Sequence, residues 1–338
     1  MRKRIFGKHI VLIVTVLVII TSFVKIYSVV TFPKIQRWNW ENLRKIDKNR
    51  ETFSFIVLGD NKNSITTFNR MIRKINRERD ILFVIDDGDL VFDGEREKFR
   101  FFIHQIKHLR VPILTVVGNH EIREKGRANY YDLFGPFYYS FSVGTTYFII
   151  IDDANEKGIE PWQMEWLVGE LEKSKTYKYL FVFMHVPLYD PRRGAYKKGH
   201  SLSDLKCAEK LNDLFDRYNV TMLFASHIHG YFKGIWGKTP YLITGGAGAE
   251  LFGTDPAHYF YHYIKVDVRK DGVYYKIVKF KTPKFRVVNR LFFMVWIYIY
   301  AFFTIHFLDI IIILALLYLT WYIVFIHKKW LIFNRGKG

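Results

Sequence analysis

Val116-Val117-Gly118-Asn119-His120-Glu121 is the stretch whose reading decides the fold. Two β-branched valines run into a glycine, then an amide, an imidazole and a carboxylate. Such a run is the end of a buried strand opening into a tight loop. In open α/β sheets the loops at the carboxyl ends of strands carry the chemistry. The same pattern recurs along the chain. Phe55-Ile56-Val57-Leu58 runs into Gly59-Asp60, and Phe83-Val84-Ile85 into Asp86-Asp87-Gly88-Asp89. Phe181-Val182-Phe183-Met184 runs into His185, and Leu223-Phe224-Ala225 into Ser226-His227-Ile228-His229. Five strands thus deliver Asp60, Asp89, Asn119, His185, His227 and His229 to one rim. All six can ligate a metal ion through oxygen or nitrogen.

The rest of the pattern fills in an α/β layout. Apolar spacing predicts strands over 52–58, 81–85, 111–117, 138–143, 147–151, 179–184, 220–225 and 241–244. A closing hairpin follows over 259–268 and 273–281. Helical periodicity covers 66–79, 95–109, 161–172 and 202–218. His104 and His108 sit at i, i+4, which reads as a solvated helix face. The cluster Gly245-Gly246-Ala247-Gly248 lacks the lysine and Ser/Thr of a phosphate-cradling loop and reads as a close backbone approach.

Both ends of the 338-residue chain are apolar. Arg2, Lys3, Arg4 and Lys8 precede an apolar run over 10–24, with no small-residue cleavage site after it, which predicts a membrane anchor. Residues 291–326 are apolar except for His306 and Asp309. A span takes about 20 residues, so the reading is an interfacial segment over 291–304 and a span over 307–326, with a tight two-helix hairpin as the alternative. The predicted domains are an anchor (1–31), a basic connector (32–51), a central domain (52–282) and a C-terminal membrane segment with a basic tail (283–338). Trp38 and Trp40 in the connector read as headgroup-level aromatics. The net charge is +19, and much of the basic excess flanks the apolar segments. That favours anionic lipid over nucleic acid as its partner. Basic clusters at both ends predict cytoplasmic termini and an extracytoplasmic domain in a cell-membrane protein. A single cysteine, Cys207, excludes an intramolecular disulfide and a cysteine-rich zinc site. Nothing in the sequence speaks to oligomeric state.

Taken singly, His185 is an ordinary strand-end histidine, and Asp60 and Asp89 are turn residues. Taken in order, Gly59-Asp60-Asn61-Lys62, Gly88-Asp89, Gly118-Asn119-His120-Glu121, His185 and Ser226-His227-Ile228-His229 resemble the calcineurin-like metallophosphoesterase superfamily over about residues 52–282. The resemblance implies an α/β fold, a two-sheet β-sandwich flanked by helices, here with N- and C-terminal transmembrane segments. It implies hydrolysis of a phosphomonoester or phosphodiester, lipid- or glycan-linked given the anchor. It also implies two divalent transition-metal ions, Mn, Fe, Zn or Ni. One ion takes Asp60, Asp89 and His229. The other takes Asp89, Asn119, His185 and His227. By the same resemblance His120 stabilises charge or protonates the leaving oxygen, and Glu121 orients it.

Two positions depart from that pattern. Ser226 stands for a glycine, which is mild. Lys62 stands for a metal-binding histidine, and a protonated lysine offers no lone pair. Purple acid phosphatases compensate with a tyrosine three residues after the second aspartate, where this chain has Phe92. The expectation is a weakly held ion on that side, with the Lys62 ammonium near the substrate phosphate. His200 sits on a loop that also carries Arg192, Arg193, Lys197 and Lys198, and it is a second substrate-contact candidate. Asp86 and Asp87 read as surface or supporting carboxylates. The competing functions are an inactive receptor for a phosphorylated ligand and a nuclease.

Overall fold

The computed structural model describes residues 2–30, 37–193, 199–281 and 287–335. They divide into two compact units, Ile35–Ile297 and the paired ends Met1–Lys34 with Tyr298–Gly338.

In chain order the elements are α1 (Arg2–Val30), α2 (Trp38–Leu43), β1 (Phe53–Leu58), α3 (Thr66–Ile75), β2 (Ile81–Asp86), α4 (Arg96–Ile106) and β3 (Ile113–Thr115). Next come α5 (Gly126–Phe134), β4 (Tyr139–Val143), β5 (Thr146–Ile150), α6 (Pro161–Ser174), β6 (Tyr179–Phe183), α7 (Leu205–Arg217) and β7 (Met222–Ala225). The series closes with β8 (Tyr231–Trp236), β9 (Thr239–Thr244), β10 (His262–Val268), β11 (Val273–Lys279), α8 (Val287–Ile305) and α9 (Phe307–Arg335).

The central unit is a two-sheet sandwich flanked by helices. One sheet runs β11-β10-β1-β2-β3 and the other β4-β5-β6-β7-β9-β8. Strands β1, β2 and β3 are mutually parallel, as are β5, β6, β7 and β9. Parallel strands are covered on both faces, which is why these segments read as unbroken apolar runs rather than alternating ones. The two sheets meet in a phenylalanine core. Phe55 stacks on Phe83 with ring centres 5.3 Å apart and meets Phe181 edge-on at the same distance. Phe148 stacks on Phe141 at 4.6 Å. Because β1, β2, β6 and β7 run the same way within their sheets, their carboxyl ends deliver the ligand-bearing loops together.

Three local readings are corrected. The strand expected over 111–117 is laddered only from Ile113 to Thr115, because Val116 and Val117 already carry the chain into the loop. Strand β8 was not foreseen; it pairs with β9 through a tight turn at Gly237, whose φ is 61°. Trp38 is not a free headgroup aromatic. Its indole N–H donates to the Ile113 carbonyl at 3.0 Å, and buried Asn39 exchanges hydrogen bonds with Thr115. Leu43 and Ile46 complete this docking by joining the core. Trp40 stays 53 % exposed.

Among the described residues of the paired ends, two helical stretches are long and apolar enough to cross a membrane: His9–Tyr27 and Phe307–Ile326. The second of these coincides with the segment expected as a span, 307–326. Lys25 and Asp309 form an ion pair, and His306 Nδ1 lies 3.4 Å from Asp309 Oδ2. Charged groups on such helices are costly unless paired.

Candidate metal centre

Each sequence-expected ligand follows a strand. Asp60 follows β1, Asp89 follows β2, Asn119 follows β3, His185 follows β6, and His227 and His229 follow β7. All six are buried. The loops are drawn tight by unusual backbone. Asp60, Asp89 and His227 have φ of 59°, 55° and 64°, a region non-glycine residues rarely adopt and one that clusters at functional sites. A Cβ at Gly118 would strike the Asp89 amide nitrogen, so only glycine lets the two loops touch.

The side chains converge in two groups that share Asp89. Ligand atoms of Asp89, His185 and His227 lie within 4.8 Å of one another, as do those of Asp60, Asp89 and His229. Asn119 Oδ1 joins the first group, 3.1 Å from His185 Nε2 and 3.2 Å from His227 Nδ1. His185 Nε2 is 3.2 Å from Asp89 Oδ1.

This constellation fits a divalent cation. His185 Nδ1 donates to the Asp87 carbonyl at 3.0 Å, which turns its Nε2 lone pair into the site, as ligating histidines are commonly held. Asp60 Oδ1, in the second group, is buried with no hydrogen-bond partner, an orphan that a positive charge at that corner would satisfy. Burial lowers the His185 pKa, but the charges of Asp89, Asp60 and Asp153 hold it well above its ordinary value. The same negative field attracts a cation. His227 is pushed well down by burial and by His185, which favours the neutral ligating form. A set of carboxylate, amide and imidazole donors suits Mn, Fe, Zn or Ni.

His120 lies inside the centre without ligating geometry. Its Nδ1 donates to the Phe92 carbonyl at 2.5 Å, and its Nε2 stands 3.8 Å from Asp89 Oδ2. Burial brings its pKa down to about 4, against the pull of Asp89. The orienting group is therefore Phe92, and the task expected of Glu121 is corrected. Glu121 accepts N–H bonds from Gly118 at 2.7 Å, Asp89 at 2.9 Å and Val91 at 3.0 Å, clamping one loop to the next. For Asp86 and Asp87, expected as surface or supporting carboxylates, the surface alternative is set aside. Neither is a surface carboxylate. Both are fully buried, and burial pushes each well above the usual carboxylate range. Asp86 Oδ2 accepts from Asn61 Nδ2 at 2.8 Å.

The two substrate-contact candidates reach the site in different ways. Lys62 is buried, with Nζ 3.0 Å from His229 Nε2 and 3.2 Å from Asp89 Oδ2. His200 stacks on His227, ring centres 3.9 Å apart, and its backbone N–H donates to Asp190 Oδ2 at 2.9 Å. Arg192 is engaged with both Asp190 oxygens, at 2.9 and 2.8 Å. Lys197 and Lys198 lie outside the described residues. His104 and His108 are exposed on α4 and its end, away from this cluster of ligands. Sequence reasoning missed three supports. Asp153 accepts from the His185 and Val186 amides at 2.9 and 2.8 Å. Glu250 fixes His229 through its carbonyl at 2.6 Å. Phe252, 53 % exposed, stacks on His229 at 5.2 Å and forms the rim. The strand running into Asp152-Asp153 carried the same signal as the ligand strands; the other two are long-range contacts with no local mark.

The model of the calcineurin-like phosphoesterase family matches residues 53–231. Purple acid phosphatase 21 of Arabidopsis thaliana is 27% identical over 207 residues, covering 52% of this chain and 46% of its own. A probable glycerophosphodiester phosphodiesterase of Arcobacter nitrofigilis is 26% identical over 203 residues, covering 56% and 67%. The solved purple acid phosphatase from yellow lupin (Lupinus luteus) seeds superimposes with a TM-score of 0.52 at 17% identity, covering 68% of this chain and 52% of that one. The chain spans 36% and 46% of the length of two of the plant relatives it matches.

Proposed function

This chain belongs to the calcineurin-like phosphoesterase family, and on that premise we propose that it is a membrane-anchored, metal-dependent hydrolase of phosphoric esters. The observation that carries the reading is the meeting of Asp89 Oδ1, Asn119 Oδ1, His185 Nε2 and His227 Nδ1, with neighbouring pairs 3.1 to 3.3 Å apart. These four atoms would hold a divalent transition-metal ion. Bound there, such an ion polarises a phosphoryl oxygen and lowers the pKa of water.

The chain's own residues do the rest. The Phe92 carbonyl fixes the His120 tautomer and turns Nε2 toward the reacting group. With its pKa near 4 the ring is neutral before substrate arrives. An anionic phosphate beside it raises its proton affinity, so that it can take a proton and pass it to the leaving oxygen. Glu121 holds the Asp89 and Gly118 loops at a fixed distance, which keeps His120 in register with the ligands. His200 and Phe252, stacked on His227 and His229, would meet the organic part of the ester.

A substrate presented at the bilayer suits the two apolar helices, with the domain on the extracytoplasmic side and both termini inside. Cys207 is half-buried and burial raises its thiol pKa, which makes it a poor reporter. Ile235→Cys in a Cys207→Ser background places the thiol on a 64 % exposed position. Labelling of intact cells by an impermeant maleimide supports this topology, and labelling only after lysis opposes it. A receptor without turnover is the second reading, favoured by Lys62 lying against ligand atoms. The deciding comparison uses an aryl phosphate and the full chain in detergent. His227→Ala should lose both turnover and bound metal, and His200→Ala should keep the metal. Phospho-ligand binding with no turnover, unchanged in His120→Ala, would establish the receptor.

A further inference from the structure

His229 is committed on both ring nitrogens. Its Nδ1 lies 2.6 Å from the Glu250 carbonyl oxygen, which can only accept, so Nδ1 carries the proton and Nε2 the lone pair. Nε2 stands 3.0 Å from Lys62 Nζ. An ammonium has only donors, so the contact is an N–H of Lys62 donating to His229. A ring nitrogen has one lone pair, and that pair serves either an N–H or a metal ion. The same Nζ reaches Asp89 Oδ2 at 3.2 Å. Lys62 thereby engages two of the three residues that form the Asp60–Asp89–His229 group. The third is partly engaged as well: Ser226 Oγ donates to Asp60 Oδ2 at 2.5 Å.

The lysine is seated by its backbone. Lys62 and Asn63 have φ of 42° and 56°. The Lys62 N–H donates to the Asp89 carbonyl at 2.9 Å, and the Asn63 N–H to that of Leu90 at 3.1 Å. Asn63 Oδ1 accepts the Phe92 N–H at 3.1 Å. The side chain that leaves this clamp is 7 % exposed, so it has no solvent position to retreat to without moving the loop.

We infer that the Lys62 ammonium is a built-in cation that takes the place of one ion. The centre then binds a single divalent ion, at Asp89, Asn119, His185 and His227, and the chain itself supplies the positive charge at the Asp60–His229 corner. This rests on reading those four residues as the metal site. The two departures from the family pattern become one device: Lys62 caps His229 and Asp89, and Ser226 caps Asp60.

The test is metal stoichiometry of the full chain in detergent, stripped with chelator, loaded with excess Mn²⁺ and gel-filtered. Elemental analysis should give one Mn per chain, and electron paramagnetic resonance the six-line signal of an isolated Mn²⁺. Lys62→His should give two Mn per chain and a spin-coupled spectrum. Lys62→Met, which frees the His229 lone pair without adding a ligand, should gain a second, weaker site; it serves if the histidine variant does not fold. Two Mn per wild-type chain would overturn the lysine's role while leaving the metal-site reading intact. One Mn in both variants would overturn it equally. No Mn in the wild type would overturn the metal-site reading and this inference with it.

Discussion

Replacing Ser226 by alanine removes one oxygen atom from the deepest part of the centre. Ser226 and Asp60 are both fully buried, and the serine hydroxyl donates to Asp60 Oδ2 at 2.5 Å. The other carboxylate oxygen has no hydrogen-bond partner, and the nearest ring nitrogen, His229 Nε2, is 3.4 Å away. A hydrogen bond to a charged group contributes about 1.5–3 kcal/mol. Since Asp60 has so little else, the loss should fall near ~3 kcal/mol. The alanine methyl keeps the packing of the serine Cβ, so no cavity term adds to this. For a domain of this size ~1 kcal/mol moves Tm by roughly 2–4 °C, which makes the expected drop about 6–12 °C. Thermal unfolding of the metal-stripped full chain in detergent measures it; stripping matters because a bound ion adds its own mass-action stabilisation. A shift under about 1 °C would refute the reasoning, for it would mean that Asp60 does not depend on this hydroxyl.

His120→Ala should lower kcat by roughly 10²–10⁴ while leaving metal content unchanged, because the ring handles a proton and ligates nothing; elemental analysis beside steady-state kinetics checks both halves. His262 is fully buried and neutral, its pKa brought down to about 4 by burial. Its folded value lies below the ordinary one of 6.5, so the unfolded chain takes up a proton first and stability falls as pH drops from 6.5 toward 4, by about 3 kcal/mol from this group. His262→Gln should remove that part of the acid sensitivity in denaturant titrations at pH 7 and pH 4.5; an unchanged gap between the two pH values would contradict it. Phe55→Ala empties the middle of the phenylalanine core between the sheets and should cost ~3–5 kcal/mol by the same titration at pH 7.

The ligand set was legible because each member is announced locally. An apolar run that ends in Gly-Asp or Gly-Asn-His states both the strand and the loop that follows it, and the parallel order of β1, β2, β6 and β7 then does the gathering. The two long apolar helices at the ends were legible for the same reason, as length and composition are local. What was hidden depends on contacts between distant residues. Lys62 and His229 are 167 residues apart, and only the folded chain shows that one caps the other. Glu121 is adjacent to His120, which made an orienting role the natural expectation, yet its carboxylate turns away to three amides. Asp86 and Asp87 could pass for surface or for supporting carboxylates in a string of acidic residues, and only the fold shows both fully buried, Asp86 at the end of β2 and Asp87 just beyond it. Trp38 carries two affinities, one for a headgroup layer and one for a buried carbonyl, and the choice was made by Ile113 on a strand 75 residues away.

The account turns on an ion held by Asp89, Asn119, His185 and His227 being required for ester hydrolysis. The direct measurement is turnover of an aryl phosphomonoester and an aryl phosphodiester by the full chain before chelation, after chelation, and after one equivalent of Mn²⁺, Fe²⁺, Zn²⁺ or Ni²⁺ is returned. Chelation should abolish turnover of at least one ester, and one equivalent of a suitable ion should restore it in the wild type but not in His185→Ala. Turnover that survives complete metal removal would contradict the account, as would a fully loaded centre that hydrolyses neither ester.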